Sequence, residues 1–449
     1  MIRLILMLMG VDFVRQRWRW LAVMGVIWAA VGIAIIVDAV GGVVYFPIHL
    51  FAAILLIEGL VSLAVTFSGL DTQQRNRFRL IKGVLFILLA LLLFDPYPDG
   101  NFIISMLMGS IFAIGGILRI SAAVVVRFTG WRMARFAGIL ELIFAVLIFS
   151  PWPLPWSETI PLAIGVGLLL SGWGVLRVAR RLRRLPPYAS ISMLTGRHGN
   201  EKFSPLILAT PQQTPQAPVD LTVHVWTPVG SAQGAVRRPI IDRYAAAVDA
   251  EGVISTGHAA LEVPPDIYIS HYPGVEIERS PDQFMHTLKA TADNDVPGKF
   301  QPSYAEEAAG WCESTEKVVF REYDLNRLRA FWEAYRQDDT YNLTNRNCSS
   351  TVTHALETAL EGVIGRRPRP WWTFFRMLHS PELWVATELY ERADTAAWTP
   401  GLTLDYARAL HSIIHAADVG WLLLVRRGWK AYANRAASRA KRSIKRAAT

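Results

Sequence analysis

Cysteine is nearly absent from this chain: Cys312 and Cys348 are the only two in 449 residues. That count excludes an obligatory disulfide framework and fits a reducing compartment. No cleavable signal peptide is expected either. The apolar stretch from Met1 to Val14 is short, and Arg15-Gln-Arg-Trp-Arg19 stands where a small-residue cleavage site belongs. In the N-terminal part, every second loop lacks Lys and Arg altogether.

What is abundant is apolar surface. With 52% hydrophobic residues and a mean hydropathy of +0.26, the chain is too apolar for an ordinary soluble protein and long enough for two or three units. The excess is concentrated in runs at 20–37, 43–67, 80–94, 102–126, 133–149 and 159–178, which predict six membrane helices. Gly25, Gly83 and Gly138 recur near the start of the odd runs, and Gly59, Gly116 and Gly172 lie within the even ones. Phe94-Asp-Pro-Tyr-Pro98 is echoed by Phe149-Ser-Pro-Trp-Pro153. Three helical hairpins from one duplicated unit follow, with glycines allowing close helix approach. Residues 15–180 thereby resemble the HdeD family of bacterial membrane proteins.

Charge orients the runs. Arg15, Arg17 and Arg19 precede the first; Arg75, Arg77, Arg79 and Lys82 follow the second; Arg127, Arg132 and Arg135 follow the fourth; Arg177, Arg180, Arg181, Arg183 and Arg184 close the sixth. The positive-inside rule then places both termini, and everything after 185, in the cytoplasm of a multi-pass protein of the bacterial inner membrane. The net charge of +9 reads as this topology plus a basic tail rather than as nucleic-acid binding. Glu58, Arg119 and Glu141 fall within the runs, where an ion pair locking the bundle is the expected role.

The chemistry-bearing pattern lies further on. Gly257-His258 opens the alternating run to Val263, and Asn347-Cys348 opens the helical run to Leu360. A cysteine at a helix N-terminus feels the positive end of the dipole, so a depressed thiol pKa and nearby oxyanion donors are expected. Buried core is the alternative, since Cys348, Val352, Ala355, Leu356 and Ala359 share one stripe. A second alternating run, Ile267 to His271, follows Pro264-Pro265. A symmetric hairpin there pairs Val263 with Asp266 and sets His258 opposite His271, on one face.

The segments 257–263, Tyr323 to Trp332 and Tyr341 to Ser350 resemble the circularly permuted papain-like folds of the NlpC superfamily, and more closely the domain of bacterial lipoprotein N-acyl transferases. The resemblance covers roughly 221–365. It implies Cys348 as nucleophile, His258 as general base and His271 as third polar residue. Tyr341 is a candidate second oxyanion donor.

The expected architecture is therefore a membrane all-α six-helix bundle of three helical hairpin repeats over 1–185, a linker over 186–220, an α+β permuted papain-like domain over 221–365, and an aromatic and basic membrane-proximal helical tail over 366–449. The expected function is a membrane-anchored thiol hydrolase or acyltransferase acting on a lipid or lipidated substrate, with membrane lipids as partners and no cofactor. A membrane-bound cysteine peptidase or isopeptidase, or a non-catalytic interaction protein, are the alternatives. His411, His415 and Asp418 have one-face helical spacing but lack a fourth ligand, so no metal is expected.

Overall fold

The computed structural model describes residues 1–41, 48–67, 73–94, 98–128, 130–150, 152, 155–185, 189–190, 216–227, 247–248, 254–275, 277, 287–378 and 380–415. Within these residues the chain is mostly helical, with a small antiparallel sheet region. Two short helices, α1 (Ile2–Met9) and α2 (Val11–Arg15), precede six long ones: α3 (Trp18–Gly41), α4 (Ile48–Phe67), α5 (Gln73–Phe94), α6 (Pro98–Val126), α7 (Trp131–Phe149) and α8 (Trp156–Leu182).

The long helices have no polar face. On α3, Val23, Ile27, Val31, Val37 and Val40 are all exposed. A helix that leaves such side chains uncovered needs apolar surroundings. Three stretches, Trp18–Gly41, Phe102–Val126 and Glu158–Leu182, are long and apolar enough to cross a membrane, and Ala52–Leu63 and Leu80–Phe94 are shorter apolar helices.

The chain divides into two compact units. In the one formed by Ala30–Ile111, Phe144–Leu169 and the residues from His415, α4 packs on α5. A Cβ on Gly59 would stand 3.0 Å from the Gly83 carbonyl oxygen, and one on Gly32 would stand 2.6 Å from that of Gly165. Lys82 crosses the α4–α5 seam to Glu58 at 2.6 Å.

The other unit comprises Met1–Ala29, Phe112–Ile143 and Leu170–Ile414. Here Gly116 abuts Gly138 and Gly172 abuts Gly25, with a built Cβ 2.7 Å from the facing carbonyl oxygen in each case. Arg119 pairs with Glu141 at 2.9 Å across the α6–α7 seam. The repeated glycines thus join each even helix to the next odd one, α4 to α5, α6 to α7 and α8 back to α3. Small residues let these backbones touch.

The same unit contains the sheet. Its strands are β1 (Gln216–Trp226), β2 (Ala247–Val248), β3 (Ile254–Ser255), β4 (His258–Val263), β5 (Ile267–Ile269), β6 (His271–Pro273), β7 (Gly298–Phe300) and β8 (Glu316–Glu322). Four of them form an antiparallel sheet in the order β5-β4-β1-β8, and β6 leaves it to pair with β7. The helices are α9 (Tyr304–Gly310), α10 (Leu325–Tyr335), α11 (Cys348–Leu360), α12 (Pro370–Leu378), α13 (Pro381–Thr395) and α14 (Pro400–Ile414).

Alternation along β4 separates two layers. Ala259, Leu261 and Val263 join Val223, Val225 and Ile269 in the main core beneath Val352, Leu356 and Leu360 of α11. Ala260 joins Trp226 and Tyr268 in a smaller cluster against Tyr304 of α9. The main core extends beyond the 221–365 segment in both directions. Leu4 to Met9 of α1, and Leu383, Tyr406 and Leu410 of α13 and α14, are all buried in it. The apolar run Leu4 to Met9 is thus covered by tertiary packing. Gly10, at φ 81°, lets the chain turn so closely past the end of α11 that a Cβ would lie 2.6 Å from the Gly362 Cα.

Candidate active site

Asn347 sets the start of α11. Its side chain accepts from the Ser350 amide while the Ser350 hydroxyl accepts from the Asn347 amide, a reciprocal cap that fixes the first turn. Cys348 is the first helical residue and is 8% exposed. Its sulfur lies 3.7 Å from the Ser349 hydroxyl, and the backbone amides of Ala259 and Ser349 are placed to favour its thiolate. Burial outweighs these donors and pushes the Cys348 thiol above its ordinary value. The depressed pKa expected from the helix dipole is thus overturned by desolvation.

The strand register differs from expectation by one residue. Val263 pairs with Ile267, Glu262 with Tyr268 and Leu261 with Ile269, because three residues, not two, turn the chain at Pro264, Pro265 and Asp266. A one-residue shift sends each side chain to the other face. His258 therefore meets Tyr272, whose ring stacks on it at 4.0 Å. His271 lies on the α11 side.

Glu307 of α9 is the centre of the His258 face. Ser303 caps α9 by accepting from the Glu306 amide, which carries the buried Glu307 to the sheet. Three hydroxyls donate to its carboxylate: Tyr268 at 2.6 Å, Ser270 at 2.7 Å and Tyr272 at 2.7 Å. His258 Nε2 lies 2.9 Å from the Ser270 oxygen and 3.3 Å from Glu307. Since the Ser270 proton goes to Glu307, that oxygen accepts from His258, which fixes the Nε2–H tautomer. His258 Nδ1 has no hydrogen bond among the described residues and keeps its lone pair. Burial, opposed by Glu307, pushes the His258 pKa down to about 4, so the imidazole is neutral at pH 7. Burial and the attraction of Glu307 raise both tyrosine pKa values, so their hydroxyls stay protonated.

His271 is held at both nitrogens. Nε2 is 3.2 Å from the Asp339 carbonyl, while Nδ1 is 3.3 Å from the Tyr335 hydroxyl and 3.5 Å from that of Thr351. Burial is the main cause that takes its pKa down to about 4. Thr351 is one turn along α11 from Cys348, so His271 braces the helix that carries the thiol. The Tyr341 ring stands edge-on to His271 with centroids 5.1 Å apart, which places it in this bracing layer.

No hydrogen bond joins Cys348 to either histidine among the described residues. The elements nevertheless bring the sulfur to the Ala259 amide, immediately after His258. Sequence reasoning missed Glu307, Ser270 and Tyr272. The alternation Tyr268, Ser270, Tyr272 marks a polar strand face, whereas nothing distinguishes Glu307 from Glu306 beside it. His224 stacks on Tyr304 at 4.0 Å and reaches Glu262 at 2.9 Å, satisfied as a structural residue would be. The described residues contain no cluster of three metal-capable side chains, and Asp418 lies outside them. No protein-family model, curated protein or solved structure matches the chain.

Proposed function

We propose that the protein is a membrane-anchored thiol hydrolase or acyltransferase with Cys348 as nucleophile, His258 as general base and Glu307, through Ser270, as the group that orients His258. The observation that carries this reading is the difference between the two histidines. His258 is tethered at Nε2 alone and offers Nδ1, whereas His271 has both nitrogens engaged. Glu307 takes the place that the family resemblance gave to His271, and His271 becomes a positioning residue.

The chemistry follows from neutral resting groups. As the Cys348 sulfur attacks an acyl carbonyl carbon, its proton passes to His258 Nδ1, and the developing imidazolium is stabilised by Glu307. A buried charge formed beside a buried carboxylate avoids the penalty of an unpaired ion. The protonated imidazole then donates to the leaving alcohol or amine, which departs and leaves a thioester. Water or a second nucleophile, deprotonated by His258, releases the acyl group. The Cys348 amide at the α11 N-terminus is the oxyanion donor.

A lipid or lipidated substrate is supported by the three apolar helices of membrane length and by Trp371, Trp372 and Phe375, which α12 leaves exposed. The motifs quoted above resemble the permuted papain-like domain of the NlpC superfamily, and the recurring glycines of the sequence resemble an HdeD-like repeat of six spans. By the Lys and Arg asymmetry, both termini and the thiol site face the cytoplasm of the bacterial inner membrane.

Full-length protein in bilayers, supplied with phospholipids labelled in the acyl chain and with a peptide library, tests the assignment. Acyl release or transfer that disappears in Cys348→Ser supports it. Cleavage of peptides alone would make the protein a cysteine peptidase, and unchanged turnover in Cys348→Ser would remove the thiol from the mechanism.

A further inference from the structure

A cavity of about 470 Å³ opens where the first and last long helices meet, lined by Asp12, Arg15, Gln16, Trp18 and Arg183. Its position is set by sequence. α3 begins at Trp18 and α8 ends at Leu182, both belong to stretches of membrane-spanning length, and the Gly25–Gly172 contact holds them together. The cavity therefore lies at the polar end of two apolar helices, level with a Trp whose ring Arg183 overlies at 5.2 Å. An indole under a guanidinium is the combination that suits a headgroup boundary.

The charge of the cavity is unbalanced. Asp12 is its one acid, and that carboxylate is drawn 3.6 Å from Arg327, a residue 2% exposed in the core behind it. Neither Arg15 nor Arg183 has a carboxylate partner among the described residues. Arg15 and Arg183 thus line one cavity whose single acid is already engaged. Guanidinium groups suit the oxygens of a phosphate, and basic pockets between helix ends hold anionic headgroups.

We propose that this cavity binds the phosphate of an anionic phospholipid, with Arg15 and Arg183 on the phosphate oxygens, Gln16 donating beside them and Trp18 against the glycerol and first acyl carbons. The site is independent of the thiol reading, since none of its residues touches Cys348, His258 or Glu307. It binds a lipid as a ligand and requires no turnover.

The test uses the full chain in detergent micelles doped with phosphatidylglycerol or phosphatidylcholine, with retained lipid counted by native mass spectrometry. Phosphatidylglycerol is expected to be retained in preference to phosphatidylcholine, and Arg15→Gln/Arg183→Gln to weaken its retention about tenfold. Arg15→Lys/Arg183→Lys keeps the charge and loses only the guanidinium geometry, so it should retain more lipid than Arg15→Gln/Arg183→Gln and less than wild type, which separates lost recognition from a damaged fold. Arg392→Gln, whose side chain pairs with Glu388 on α13, should behave as wild type. Equal retention of the two lipids, or retention unaffected by Arg15→Gln/Arg183→Gln, overturns the proposal. Displacement of the lipid by millimolar inorganic phosphate overturns the lipid assignment in favour of a free phosphate ligand.

Discussion

His258 Nε2 and the Glu307 carboxylate stand 3.3 Å apart with both side chains buried. The pair comes from different elements, the first residue of β4 and the middle of α9, and Ser270 bridges it. A neutral imidazole so placed can accept a proton only at Nδ1, and Glu307 offsets the charge once it does. Glu307→Gln keeps the shape and removes the charge. It should lower turnover about 10²-fold, within the usual range for general-base assistance. Ser270→Ala should cost less, because the carboxylate remains. Steady-state kinetics in bilayers read both, and a Glu307→Gln variant with wild-type kcat would remove Glu307 from the catalytic group.

The pH profile tests the same pair. His258 acts as a base only when neutral, and its pKa is held down at about 4 by burial, with Glu307 pulling upward. Activity should therefore persist through pH 6.5 and fall only as pH drops through about 4. Removing Glu307 removes the upward pull, so the acidic limb of Glu307→Gln should move to still lower pH. A limb near 6.5 in the wild type would indicate a solvated histidine, contrary to the burial observed.

Stability should move in the opposite sense to that of a salt-bridged histidine. Both His258 and His271 have folded pKa values lowered from 6.5 to about 4, so the unfolded chain binds protons that the fold refuses. Neither histidine affects stability above pH 6.5. Between 6.5 and 4 each costs stability progressively, by roughly 3 kcal/mol at the lower edge. The fall in thermal midpoint between pH 7.5 and 4.5 should be smaller in His271→Gln than in wild type. An equal fall in both would show that His271 does not titrate this way.

Much of this arrangement was legible in the sequence, and the remainder was hidden for identifiable reasons. The Asn347 cap and the Cys348 stripe could be read because capping and helical periodicity are local. The strand at His258 was legible by alternation, but its partner register was not. Whether Pro264-Pro265 turns in two residues or three is decided by the two packed layers, and one residue changes which histidine meets which face. Glu307 was invisible because a buried carboxylate and a solvated one look alike until α9 is folded against the sheet. The packing of α1 into the main core could not be read either, because Leu4 to Met9 are apolar whichever environment covers them.

The glycine seams make a sharp prediction about which glycines matter. A Cβ at Gly172 would stand 2.6 Å from the Ala29 backbone nitrogen, whereas Gly167 and Gly174 have nothing within 4 Å. Backbone atoms of a packed helix cannot move aside as a side-chain tip can. Gly172→Ala should therefore lower the thermal midpoint in detergent by several degrees through forced separation of α3 and α8. Gly167→Ala and Gly174→Ala should leave it unchanged or raise it slightly, since alanine favours the helix by about 1 kcal/mol. Equal effects at all three positions would mean that α3 and α8 do not approach as described.

Thiol reactivity should invert between a small reagent and a substrate-like one. Burial raises both cysteine pKa values, but Cys348 is buried whereas Cys312 is partly exposed. Iodoacetamide at neutral pH should therefore label Cys312 faster. An activated acyl ester brings its carbonyl to the α11 N-terminus and calls on His258 for the proton, so it should acylate Cys348 alone. His258→Gln should abolish that acylation and leave the Cys312 alkylation rate untouched. Because the groups act as a unit, adding Glu307→Gln to His258→Gln should cost almost nothing more. Peptide mapping after each reagent reads each of these outcomes. Acylation of Cys312 in preference to Cys348, or acylation of Cys348 that survives His258→Gln, would show that the thiol and imidazole do not act together.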